Sequence, residues 1–253
     1  MKRMRQKGIK ERDITMSRIN LDEAILVVVD YQEKLLPAMN NKDEIAEKTA
    51  KLIQGCRILG VPILATQQYT KGLGETVDII KNALTEPIGD DIPASEFKHV
   101  EKKSFSCMDE PDFRDALVKS GRDQVIVCGI EAHVCVQQTA IDLFDYGIDD
   151  DYVDYDDDGD EYSFDGEEEK DNVVILIDRP DDGIEEDEDY TGLDFEVFLA
   201  CDCVGSRDEN DKNVAINRMS DIGIEMMTME SILFEMTRSA ESPHFKQISK
   251  TVK

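Results

Sequence analysis

Long apolar runs are missing from this chain of 253 residues. The longest near its start, "AILVVV" (Ala24–Val29), has six residues where a membrane-spanning helix needs about 20. The basic stretch "MKRMRQKGIKER" is followed by no apolar segment, so neither a secretory signal nor a membrane span is expected, and Met16 offers an alternative start. The six cysteines form no CxxC pair and no even ladder, which argues against a disulfide framework or a zinc site and for a reducing, cytoplasmic setting. Histidine is scarce and scattered, at His99, His133 and His244. Positive charge is short as well: 29 Lys and Arg stand against 57 Asp and Glu. A polyanionic surface disfavours nucleic acid and anionic lipid.

That imbalance is local. Between Ile148 and Asp194, 23 acids face two bases, Lys170 and Arg179, so −21 of the net −28 lies there and −7 remains for everything else. The length suits one sizeable domain. We expect a basic, disordered extension over residues 1–20 and one domain over 21–253, interrupted by an acidic loop or hairpin over 148–194.

Outside that insertion, near-continuous apolar runs read as buried parallel strands: "AILVVVD" from Ala24, "VPILATQ" from Val61, "QVIVCGI" from Gln124 and "EVFLACD" from Glu196. Between them "DEIAEKTAKLIQGCRILG" and "VCVQQTAIDLFDYG" carry apolar residues at helical spacing and end in Gly60 and Gly147, the expected helix stops. Alternation of this kind predicts an α/β fold with a doubly wound, mostly parallel sheet and helices on both faces. Ligands in such folds bind beyond the carboxyl ends of the strands. Asp30, Gln67 and the turn "GIEAHVC" all fall at such ends.

Cys135 falls one or two residues into a helix that starts directly after a strand. The positive helix end there favours an anion, so its thiol is expected to ionise more easily than the reference pKa of about 8.5. Cys56, Cys128 and Cys201 read as small buried hydrophobes, and "CDC" at Cys201–Cys203 as two thiols packed on one strand face. Asp30 closes an apolar run, where a bare carboxylate is costly unless paired or working; the competing reading is a turn cap. Gln32, Gln67 and Tyr69 are pocket candidates by position, and His133 reads as a packed or hydrogen-bonded turn residue.

"VVVDYQEKLLPAM", "VEKKSFSCM" and "GIEAHVCVQQTAIDLFDYG" together resemble the isochorismatase-like cysteine hydrolase superfamily, and "TQQYTKGLG" and "ESPHFKQISK" resemble its isochorismatase-domain-containing branch. The resemblance runs from about Leu21 to the C-terminus, skipping the insertion. It implies a catalytic triad of Asp30, Lys102 and Cys135, with Lys102 preferred over Lys103 because the family lysine stands three residues before an aromatic, here Phe105, a further pocket candidate. It also implies a non-proline cis peptide between Ile130 and Glu131, and an oxyanion hole of the Glu131 and Cys135 amides. The nicotinamidase branch carries an Asp and His metal cluster after its second strand, but "ATQQYTKG" has neither residue, so no cofactor is expected.

Within the insertion, "DYDDDGDEYSFD" carries a weak calcium-loop pattern: Asp154, Asp156, Asp158, Asp160 and Asp165 around Gly159. Position eight is Glu161 where an aliphatic residue is usual, and the last ligand is Asp where Glu is usual. "NVVILID", Asn172 to Asp178, is apolar enough to want a packing partner. Two functions follow. The first is a hydrolase of a small amide or related carbonyl compound acting through a thioester, with a small-molecule substrate, no nucleic-acid or membrane partner, and a homo-oligomeric assembly. The second is a non-catalytic scaffold or divalent-cation binding module acting through the insertion, with weak calcium binding.

Overall fold

The computed structural model describes residues 18–146 and 194–253. Six strands form one sheet: β1 (Ala24–Val29), β2 (Ile63–Gln68), β3 (Val100–Lys102), β4 (Gln124–Ile130), β5 (Glu196–Gly205) and β6 (Glu225–Met227). Their order is β3-β2-β1-β4-β5-β6 and every pairing is parallel. Chain order reverses direction between β1 and β4, which opens a crevice at their carboxyl ends.

The pattern of each strand explains its place. All six residues of β1 and all seven of β4 are buried, as central strands covered on both faces must be. On one face lie α1 (Lys42–Leu59), α3 (Asp78–Thr85), α7 (Met229–Thr237) and α8 (Phe245–Thr251), which bury Ile53, Leu84, Leu233 and Ile248 against Leu26 and Val28. On the other, α4 (Pro111–Lys119), α5 (Gln137–Asp145) and α6 (Glu209–Asp221) bury Phe113, Leu143 and Met219 against Ile25 and Val27. A short α2 (Thr70–Leu73) follows β2. Each fully buried aliphatic side chain contributes about 1.5 to 3 kcal/mol over its exposed form, so the two faces of the sheet supply most of the fold's stabilisation. Gly60 stops α1 in the left-handed conformation, at φ 75°.

Two sequence expectations need correction, and one feature of the fold left no signal in the sequence. The packed domain starts earlier than Leu21: Ile19 is fully buried and its backbone N–H donates to Glu235 Oε1 at 2.9 Å. The edge strands β3 and β6 have three residues each, too few to leave an apolar run in the sequence. Finally, β5 runs on through Gly205 with an irregular register against β4, and this places Cys203 in the core on the α1 face while Cys201 packs on the other. Residues 1–17, Gly147 and nearly all of the acidic insertion, including the calcium-loop candidates Asp154, Asp156, Asp158, Asp160 and Asp165 and the stretch "NVVILID", lie outside the described residues.

Candidate active site

Asp30, the first residue after β1, takes the left-handed conformation at φ 54°, which is costly for most side chains and tolerated best by Asp and Asn. Its carboxylate is fully buried, and Thr66 Oγ1 of β2 donates to Oδ1 at 2.8 Å. Its Oδ2 stands 2.7 Å from Lys102 Nζ in an ion pair with both side chains closed to solvent. Lys102 ends β3 and pairs in register with Gln68, the last residue of β2. Its ammonium also donates to Gln68 Oε1 at 2.6 Å and to the carbonyls of Ser104 and Phe105 at 3.2 and 3.1 Å. Four acceptors thus surround three N–H groups. Lys103, next in sequence, is exposed.

The third member comes from across the reversal. β4 approaches β1 so closely at its end that a Cβ on Gly129 would lie 2.5 Å from Val29 Cβ and 2.7 Å from Val29 O, leaving room only for glycine. The following Ile130–Glu131 peptide is cis. A π-helical turn, Ala132–Val136, then leads into α5, and Glu131 O accepts from both Val134 N and Val136 N. Wide turns of this kind recur at functional sites. Cys135 lies in this turn, 5% exposed, with its thiol near enough to the Asp30 carboxylate for the two to interact electrostatically.

Burial pushes the Cys135 thiol up to about 12, and the Asp30 charge pushes the same way, while Lys102 opposes them. The sequence argument from the helix end pointed in the other direction. Desolvation of a thiolate in this closed site outweighs a partial positive charge at a turn. The resting sulfur is therefore a neutral thiol beside a carboxylate. Burial is the largest single influence on Lys102 and opposes its charge, but Asp30, Cys107 and Cys135 together outweigh it and hold the ammonium above its ordinary value. The trio can pass a proton from sulfur to carboxylate without moving net charge into or out of the pocket, the balance that a buried site requires.

A family profile described as Isochorismatase domain matches residues 24–149. Isochorismatase domain-containing protein 2 of Danio rerio is 28% identical over 235 residues, which span 93% of this chain and 89% of that relative. The chain belongs to the isochorismatase-like superfamily. Among solved structures, MAR1 ribonuclease from Caenorhabditis elegans is 28% identical with a TM-score of 0.67, covering 93% of this chain and 92% of that one. The YcaC gene product of Escherichia coli, described as an octameric hydrolase of unknown specificity, shares the fold at 18% identity and a TM-score of 0.63, covering 93% and 96%.

In this isochorismatase-like domain the pocket candidates divide into two pairs. Gln32 is buried with its amide wholly engaged: Nε2 donates to the Gln68 and Gly74 carbonyls, and Oε1 accepts from Gln68 N at 2.7 Å. Gln67 is buried too, donating to Thr76 and Glu75 and accepting from Thr70. Both therefore brace the loop after β2. Tyr69 and Phe105 are open, at 48% and 53% exposure, on the segments that flank Lys102. His133 Nδ1 pairs with Ser206 Oγ at 2.9 Å, and Arg207 Nε donates to Glu131 Oε2 at 2.7 Å, so the loop after β5 holds the turn that carries Cys135.

Sequence reasoning missed Thr66, Gln68 and Cys107. Cys107 Sγ lies 4.0 Å from Thr66 Oγ1, and its backbone N–H donates to Thr139 Oγ1 on α5, one turn beyond Cys135. The alternation of a strand offered a signal for the first two: Thr66 and Gln68 are two apart and share a face, which Gln67 does not. Among the described residues no cluster of His, Cys, Asp or Glu could hold a metal ion, and no helix is long and apolar enough to cross a membrane.

Proposed function

We propose that this protein is a cysteine-dependent hydrolase of a small amide or related carbonyl compound. The observation that carries the proposal is the buried Asp30–Lys102 ion pair, with the Cys135 thiol electrostatically coupled to both, at the reversal between β1 and β4. As Cys135 Sγ attacks the carbonyl carbon, Asp30 takes the thiol proton and the carbonyl oxygen becomes an oxyanion. The backbone amides of Glu131 and Cys135 receive it, each donor contributing about 3 to 4 kcal/mol in comparable sites. Collapse breaks the C–N bond; the amine leaves with the proton from Asp30, and a thioester remains on Cys135. Asp30 then deprotonates water, which attacks the thioester, and the departing sulfur recovers the proton. Lys102, with every N–H engaged, acts through Asp30 and does not touch the substrate.

The C. elegans relative bears the name ribonuclease. Cleaving RNA through this site would require phosphate at a closed pocket whose ammonium is already engaged by four acceptors; this favours the carbonyl reading. A scaffold or calcium module acting through the insertion draws on residues 148–194 alone. We expect a homo-oligomer in the cytoplasm, checked by light scattering and fractionation.

The test is rapid quenching with a panel of small amides, followed by intact-protein mass spectrometry, with RNA as a parallel substrate. An acyl adduct on Cys135 that is absent from Cys135→Ala supports the proposal. RNA cleavage that survives Cys135→Ala, with no adduct from any amide, sinks it.

A further inference from the structure

We propose that Gln68 is the positioning residue that sets how strongly Lys102 holds Asp30, and so how strong a base Asp30 is toward Cys135. The inference rests on the reading of Cys135 as nucleophile and Asp30 as base. Of the four acceptors around the Lys102 ammonium, two are close, Gln68 Oε1 at 2.6 Å and Asp30 Oδ2 at 2.7 Å, and two are longer carbonyl contacts at 3.2 and 3.1 Å. Only Asp30 is charged, so Gln68 is the strongest neutral competitor for the same cation. An amide dipole that shares the ammonium weakens its grip on the carboxylate and leaves the carboxylate more basic.

Gln68 is itself held from three directions. Its side-chain Nε2 donates to the Lys103 carbonyl at 2.7 Å, its backbone N–H donates to Gln32 Oε1 at 2.7 Å, and its carbonyl accepts from Gln32 Nε2 at 3.0 Å. The two backbone contacts fix the residue, and the Nε2 contact turns the amide so that its oxygen faces Lys102. The order of contact runs Gln32, Gln68, Lys102, Asp30, Cys135. The side chain of Gln68 spends its oxygen on Lys102 and its N–H on the Lys103 carbonyl, so its influence on the thiol passes through Lys102.

The experiment measures the alkylation rate of Cys135 by iodoacetamide against pH in the full chain, by peptide mass spectrometry, and needs no knowledge of the substrate. In the wild type an internal base gives a limb near neutral pH that does not rise with pH. Asp30→Asn removes that limb and leaves a rate that climbs about tenfold per pH unit. If the wild type lacks the flat limb, or Asp30→Asn retains it, the base reading itself fails. Gln68→Met, which leaves Lys102 to Asp30, lowers the limb by about five-fold or more. Gln68→Glu, which draws the ammonium away from Asp30, raises it. A structural role alone would lower the thermal midpoint of both variants and leave the limb in place. Equal limbs in wild type and Gln68→Met, or a fall in Gln68→Glu, overturns the inference. Should Gln68→Met not fold, the rise in Gln68→Glu decides alone.

Discussion

Two turns bring a cysteine to the neighbourhood of Asp30, and they do so differently. A 3-10 turn, Cys107–Asp109, places Cys107 behind Thr66, fully buried; the π turn after β4 places Cys135 beside the carboxylate, with a small opening to solvent. Burial is the main cause in pushing both thiols up to about 12, so ease of ionisation does not tell the two apart. What separates them is the π turn with its neighbouring amides and the small opening to solvent at Cys135, against a Cys107 that is fully closed behind Thr66. On the proposed reading, the nucleophile is marked by its adjacent base and not by a depressed pKa.

The sharpest way to break this comparison is to remove each thiol in turn. Cys135→Ala should lower turnover about 10,000-fold or more, as loss of a covalent nucleophile does. Cys107→Ala should keep activity within about three-fold and cost about 1 kcal/mol of stability, read from urea denaturation. Iodoacetamide should label Cys135 ahead of the five other cysteines. Equal loss of turnover in the two variants would show that the site extends to Cys107.

A second effect concerns the ion pair that both thiols face. Lys102→Met leaves the Asp30 charge buried and alone, which should cost about 3 to 5 kcal/mol. The double variant with Asp30→Leu should recover part of this loss, because an apolar pair needs no charge compensation. A cost below about 1 kcal/mol for the single variant would mean that solvent reaches the pair.

A smaller effect concerns pH. A thiol whose folded pKa is raised contributes stability in full below the unfolded value, near 9, and loses it as pH climbs toward the folded value, because the unfolded chain releases its proton first. With Cys107 and Cys135 both pushed up to about 12, thermal stability should fall between about pH 9 and 12. The double variant Cys107→Ala, Cys135→Ala should show a shallower decline. An unchanged slope would assign the decline to the remaining buried thiols, Cys56, Cys128 and Cys203.

The four long strands were legible because parallel strands covered on both faces must be apolar throughout, and Asp30 stood out because it interrupts such a run. β3 was not, and with it went the partner of Lys102: three residues with an exposed Glu101 between two buried neighbours leave no period to detect. That gap explains the choice of Gln67 over Gln68. Without the β3 register nothing said which of two adjacent glutamines faces the lysine. The direction of the Cys135 shift was misread because a helix end is visible in sequence while the depth of burial around it is not.

The smallest expected effect is that of removing residues 149–193. Tyr146 at the end of α5 packs its ring 5.4 Å from that of Phe195, so the chain leaves and returns at one place. Glu196 N there donates to Asp123 O, just before β4 begins, whereas Cys135 follows the other end of that strand. Seven strand residues at about 3.3 Å each put roughly 20 Å of sheet between the two ends. Rejoining the chain with a short turn should therefore keep the fold and leave activity within about two-fold, since even a doubling of loop length changes closure entropy by only about 0.6 kcal/mol. It also removes 22 acids and two bases, so the pI should rise. Millimolar calcium added to the intact protein should change the alkylation rate of Cys135 little, because screening decays over about 10 Å or less at physiological salt. Loss of folding on deletion would place "NVVILID" in the core, and micromolar calcium affinity at fixed stoichiometry would give the acidic stretch a binding function of its own.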